Sequence, residues 1–138
     1  MKTLRPQAPS ELTVTDVRFG RHEGFERVVF ELDGGGAPGW FVDYADTPTQ
    51  QGSGKTIDYS GETALNVNID GVVYPFEAGK EDPRIGVVDA PTEGIVTQVV
   101  NGGTYEGRCQ FVIGMTSRKP YSVQVLDNPT RLVVDIRD

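Results

Sequence analysis

Apolar and polar positions alternate with a period of two along much of the chain, and one pattern occurs twice. Residues 27–32 read Arg27-Val28-Val29-Phe30-Glu31-Leu32, and residues 131–136 read Arg131-Leu132-Val133-Val134-Asp135-Ile136. Both run Arg, apolar, Val, apolar, acid, apolar. Successive side chains of a strand point to opposite faces. Val28, Phe30 and Leu32 therefore share one face, as do Leu132, Val134 and Ile136, while each Arg and acid points the other way. An antiparallel pairing of the two stretches sets Arg27 beside Asp135 and Arg131 beside Glu31, whereas a parallel in-register pairing sets like charges together. The pattern predicts that they pair antiparallel or lie in separate sheets.

The other elements follow from the same alternation and from its interruptions. Residues 1–11 are polar and Pro-punctuated, which predicts a flexible lead-in to a single domain over residues 12–138. Strands are expected at 12–19 and 25–32, joined across Gly20-Arg21-His22-Glu23-Gly24 as a hairpin with a longer loop. The run Asp33-Gly34-Gly35-Gly36-Ala37-Pro38-Gly39 predicts a firm stop. A short strand over residues 40–44 follows, with Trp40, Val42 and Tyr44 on one face and Phe41 and Asp43 on the other.

Residues 45–60 are turn-rich, with a short strand expected at 55–59. Residues 64–69 alternate cleanly, and Asp70-Gly71 before Val72-Val73-Tyr74 predicts a type I′ hairpin, whose central residues need positive φ. Residues 75–94 carry Pro75, Pro83 and Pro91 and no clear period. They read as a surface excursion with one short strand at 85–88, and excursions of that length often hold function. From 95 to 137 strand and turn alternate four times, with one turn at Asn101-Gly102-Gly103, which predicts an antiparallel meander. No stretch sustains the spacing of an amphipathic helix. The fold predicted is all-β, an antiparallel β-sandwich or flattened barrel of two packed sheets.

Composition narrows the function classes. A chain of 138 residues is one domain that buries roughly 68% of its unfolded surface, so it needs neither metal nor disulfide to fold. The 17 Gly and 9 Pro favour many short strands over long helices. A net charge of −7 argues against nucleic acid, which demands clustered Lys and Arg, and against an anionic membrane surface. No apolar run approaches a membrane span, and residues 1–10 lack the apolar centre of a signal peptide. Cys109 is the one cysteine. It falls in phase with Tyr105, Phe111, Ile113 and Met115, which predicts a buried, inert thiol.

Few residues assemble into a reaction centre. Gly52-Ser53-Gly54-Lys55-Thr56 resembles the end of a phosphate-binding loop, but Thr49 stands where that pattern needs Gly and no helix is expected to follow. His22, the one histidine, lies in a charged turn and reads as solvated. One His and one Cys are too few for a closed zinc site, and no Asp-x-Asp-x-Asp-Gly loop supports calcium. No cofactor is expected. Among the aromatics, Trp40, Phe41, Tyr44, Tyr59, Tyr74, Phe76, Tyr105 and Tyr121 could offer flat faces to a sugar or peptide, with Asp43, Asn66, Asn68 and Gln124 as polar partners. Most are expected in the core. Trp40 and Tyr44, flanked by Gly-rich loops, together with Asp43, form the candidate ligand-binding set.

Several of these stretches together resemble the AMIN-like domain of secreted proteins and lipoproteins from high-GC Gram-positive bacteria. They are residues 18–32, Gly39-Trp40 with Val42-Asp43-Tyr44, Gly52-Ser53-Gly54, Gly107 with Val112-Ile113-Gly114, and Asn128-Pro129-Thr130 leading into residues 131–136. The Pro-x-Arg-Leu-Val-Val-Asp-Ile segment is also similar to the AMIN module found beside peptidoglycan amidases and secretins. The resemblance covers residues 12–137. It implies two packed sheets and an extracytoplasmic, cell-surface setting, without the lipid-anchoring Cys near the start that a lipoprotein carries. It also implies a non-catalytic envelope-binding or targeting module whose partner is a wall glycan or an envelope protein. It transfers no catalytic residues, because the AMIN relatives keep catalysis in a separate domain. Two other classes remain compatible with the residues: a small envelope-glycan hydrolase using paired carboxylates, and a structural or assembly protein joined through strand edges.

Overall fold

The computed structural model describes residues 2–4, 7–79, 81–91 and 93–138. Among them ten strands form two antiparallel sheets that pack as a sandwich and do not close into a barrel. The strands are β1 (Lys2–Leu4), β2 (Gln7–His22), β3 (Phe25–Ala37), β4 (Gly39–Tyr44), β5 (Thr63–Asp70), β6 (Val87–Asp89), β7 (Val96–Tyr105), β8 (Arg108–Met115), β9 (Tyr121–Leu126) and β10 (Arg131–Arg137). One sheet has the order β1-β4-β5-β8-β7-β6 and the other β2-β3-β10-β9. The one helical element among the described residues is a 3-10 turn, Pro75–Ala78. Residues 2–4 and 7–11, read as a lead-in, carry strand.

The repeated Arg-to-acid pattern forms the centre of the four-stranded sheet. β3 and β10 pair antiparallel with Arg27 opposite Asp135 and Arg131 opposite Glu31. Arg27 grips Asp135 at 2.8 and 3.0 Å in a planar two-bond fork. Glu31 accepts from Arg18 at 3.0 Å, and Arg131 donates to the carbonyls of Asp127 and Pro129. Beneath this charged outer face, Val28, Phe30, Leu32, Leu132, Val134 and Ile136 are all buried. They meet the inward residues of the six-stranded sheet, with the Phe30 and Phe111 rings 4.8 Å apart and tilted by 43°.

Several departures from the expected elements involve glycine, which here admits backbone as often as it turns it. β3 does not stop at Asp33 but runs to Ala37 beside β2. Gly34 has φ of 127°, and a Cβ there would lie 2.2 Å from the carbonyl oxygen of Glu11. Asp70-Gly71 is not a hairpin, since β5 pairs with β4 and β8. The N–H groups of Gly71 and Val72 bond the Gly107 carbonyl instead, and Val72 bridges to Leu12. Asn101 to Gly103 is a bulge inside β7, and the true turn lies at Glu106 and Gly107, both with positive φ. The expected meander is broken as well, because the chain leaves the six-stranded sheet after β8 and enters the other at β9.

No strand forms at residues 55–59, where the one pairing is a bridge between Thr49 and Thr56. Residues 45–62 form a strap over the outer face of the six-stranded sheet. Ile57 packs on Ala64 and Val112 in a second small core. Buried Gln110 donates to the Thr49 carbonyl (2.9 Å) and to Asn66 (3.0 Å), and accepts from the Gln51 N–H (3.3 Å). The expected strand at 85–88 is present as β6, displaced to Val87–Asp89.

Cys109 is free and buried, and burial pushes its thiol up to about 11. It is expected to resist a thiol-reactive reagent at neutral pH in the native protein and to react once denaturant opens the core, which a timed colorimetric assay would read. The folded state favours the protonated thiol. This contribution is complete below the ordinary thiol range and is lost as pH rises from there toward 11. Rapid labelling of the native protein at pH 7 would contradict the assignment.

Candidate functional site

The three residues expected to bind ligand lie on β4, Trp40 and Tyr44 on one face and Asp43 on the other. Trp40 is 9% exposed and belongs to the main core, so its ring offers no face to solvent. Tyr44 is half-buried, and its hydroxyl donates to the Lys119 carbonyl at 2.6 Å while accepting from the Lys119 N–H at 2.9 Å. Its ring meets Tyr121 edge-on at 5.6 Å and carries the Arg118 guanidinium 5.2 Å from its centre. Tyr44 thus fastens the crossing between the sheets to β4. Asp43 points to the opposite face of the strand, as period-two alternation requires.

The aromatic faces that reach solvent lie at the end of the sandwich where the β7–β8 tip meets residues 71–76. Phe76 is 75% exposed, Tyr105 44% and Tyr74 38%. Local chemistry fixes the first of these. Pro75 opens the 3-10 turn, the Glu77 carboxylate accepts the Tyr74 N–H (3.3 Å), and Gly79 at φ 70° closes the turn onto the Phe76 carbonyl (3.2 Å). The turn brings the Phe76 and Tyr74 rings into a near-parallel stack, 5.4 Å between centroids and 16° between planes. Tyr74 is further held by its hydroxyl, which donates to the Thr104 carbonyl at 2.8 Å.

Beside Tyr74 and Pro75 is a cleft of about 220 Å³ between the sheets and the stretch holding Asp82, Pro83 and Ile85. Its floor is apolar, with Val14, Val72, Ile85 and Phe111, and its rim includes Tyr74, Asp82 and Thr104. Asn101 holds the cleft open by anchoring the excursion: its amide donates to the Ile85 carbonyl (2.8 Å) and its backbone N–H to the Gly86 carbonyl (2.8 Å). The far end of the excursion is fastened by Glu26, a buried carboxylate that accepts the N–H groups of Ile95 (2.7 Å) and Val96 (3.2 Å). An apolar floor, a flat aromatic rim and a few acceptors suit a ligand with one apolar face and a polar edge.

A second, more open groove of about 640 Å³ lies beyond the β7–β8 tip. The Arg108 guanidinium forks onto Asp70, with the Nη2–Oδ2 bond at 3.2 Å, and this hydrogen bonding raises the Arg108 pKa against the effect of burial. The Tyr105 ring leans on the backbone of Gly52, where a Cβ would come within 3.0 Å of it.

The other candidate chemistry is dispersed. His22 is exposed and stacks on Phe25 at 4.7 Å. Residues 52–56 are a turn tip rather than a phosphate loop, with Gly52 and Gly54 at positive φ and Thr56 in the strap's bridge. Among the described residues no three His, Cys, Asp or Glu side chains gather as a metal site, and no helix is long and apolar enough to cross a membrane. Tyr74, Phe76 and Tyr105 stood among the aromatics in the sequence, and the adjoining Pro75 and the long excursion were the signal for the first two.

No curated protein and no solved structure matches the chain. The model of the AMIN-like domain matches residues 12–138, nearly the whole length. The chain belongs to the AMIN-like domain family, and is thereby a module of the cell-envelope setting.

Proposed function

We propose that this domain is a non-catalytic binding module, working outside the cytoplasm, that recognises a wall glycan through Tyr74, Phe76 and the cleft beside Tyr74. The observation that carries the reading is the exposed Tyr74–Phe76 stack, whose Tyr74 lines an apolar cleft. A stacked aromatic pair facing solvent offers a flat apolar face with a polar edge. A pyranose ring has the matching form, with C–H groups on one face and hydroxyls around the edge. The net charge of −7 favours an uncharged glycan over a polyanionic wall polymer. The set Trp40, Asp43 and Tyr44 is not carried forward, since Trp40 lies in the core and the Tyr44 hydroxyl is engaged on both sides.

Co-sedimentation with purified cell wall stripped of anionic polymers tests the reading. The protein is expected in the pellet, and Phe76→Ala is expected to weaken binding about tenfold, the worth of one stacked aromatic contact. Phe76 is mostly exposed, so the variant keeps its fold. Wild-type protein that stays in the supernatant overturns the reading, and a Phe76→Ala variant that binds as well as wild type moves the site elsewhere.

A further inference from the structure

We infer that the groove at Tyr105 is a second glycan subsite, set next to the cleft at Tyr74, so that the module grips one glycan chain over several consecutive sugars. The inference builds on the glycan reading above and adds a second contact to it. The two recesses are walled by the same pair of backbone segments. Val72, Val73 and Tyr74 line the first and Asp70 and Gly71 the second, while Gly103 and Thr104 line the first and Tyr105 to Arg108 the second.

These segments are stitched together by the N–H groups of Gly71 and Val72 on the Gly107 carbonyl, at 2.9 and 3.1 Å. The partition between the recesses is therefore crossed along these segments, over about three residues or roughly 10 Å at the rise of a strand. Thr104 and Tyr105, adjacent in β7, connect the aromatic groups: the Thr104 carbonyl holds the Tyr74 hydroxyl, and Tyr105 opens the second groove. Gly52 braces one side of the Tyr105 ring, which stays 44% exposed.

The polar groups of the second groove suit the same class of ligand. Asp70 and Arg108 neutralise each other in their fork, and Glu106 leaves the groove with an acidic group that disfavours a free anion. The remaining capacity of Asp70, Gln51 and Glu106 is largely that of acceptors, which fits sugars bringing hydroxyl and amide donors. Two weak sites on one polymer bind far more tightly than either alone, because the second contact forms at high effective concentration. A ligand too short to cross the partition gains nothing from the second groove.

Calorimetric titration with β-1,4-linked N-acetylglucosamine oligomers, from disaccharide to hexasaccharide, tests this. Wild-type affinity is expected to rise about tenfold or more across the series, Tyr105→Ala to remove that rise while leaving the disaccharide unaffected, and Tyr105→Phe to restore it. Phe76→Ala is expected to weaken every oligomer. Three outcomes overturn the second subsite while sparing the first: no dependence on length, a Tyr105→Ala variant that still shows the rise, or equal losses at all lengths. Wild type that binds none of the oligomers overturns both.

Discussion

Phe30→Ala is expected to lower the folding free energy by about 3–5 kcal/mol, a large fraction of the total stability of a domain this size. Phe30 is fully buried at the middle of β3, and its ring closes against Phe111 of β8 across the space between the sheets. Alanine removes the ring's transfer free energy and leaves a cavity between two sheets whose backbone ladders hinder collapse onto it. Phe111→Ala is expected to cost a similar amount. The double variant should cost less than the sum of the two, because the tilted ring pair contributes about 0.5–1.5 kcal/mol that either single change already removes. Urea unfolding of all four proteins gives the cycle. A Phe30→Ala loss below about 1 kcal/mol would show that the sheets do not pack through this residue.

Gly114→Ala is expected to be the most damaging of the small substitutions, at about 3 kcal/mol or more, the top of the range for overpacking. A Cβ at Gly114 would lie 2.2 Å from the Ser60 carbonyl oxygen and 2.6 Å from the Thr97 hydroxyl, which itself donates to that carbonyl. The obstacle is backbone, and it cannot rotate away as a side-chain tip can. The strap over residues 45–62 must therefore lift. Gly61 faces the same constraint from the other side, with φ of 131° and a Cβ position 2.5 Å from the Met115 carbonyl. Hydrogen exchange gives a local readout: the amides of Ile57 and Glu62, bonded to Pro48 and Met115, should lose protection before the β3–β10 ladder does. Unchanged stability and unchanged exchange in the Gly114→Ala variant would sink this account of the strap.

What could be read from the sequence was whatever alternation and charge specify jointly. The pairing of residues 27–32 with 131–136 was legible over a long separation because only the antiparallel register opposes each Arg to an acid. The path of the chain between the sheets was not, since a turn signal marks where a strand ends and says nothing about which sheet takes the next one. Glycine caused most of the local differences. Gly34 stood in a predicted stop, yet it sits in a strand where another backbone segment passes within contact distance, as Gly114 does in β8.

The candidate site shows the same limit. Trp40 drew attention because glycines flank it, but it shares its strand face with Val42, which is fully buried, and that periodicity was the better guide to its place. Phe76 has no such neighbour pattern. Its exposure comes from a four-residue turn, Pro75–Ala78, that period-two reasoning does not address.

The β3–β10 ladder also governs how the protein comes into being. Arg27 and Asp135 are 108 positions apart, and β10 lies between β3 and β9 in its sheet. Until residues 131–137 are available, β9 has no neighbour in its sheet and β3 is paired on one edge only, with β2. Loop closure over such a distance places folding in the slow class of β-rich domains, on the order of milliseconds to seconds. A chain made from its N-terminal end is therefore held open, and the four-stranded sheet closes only after β10 has been synthesised.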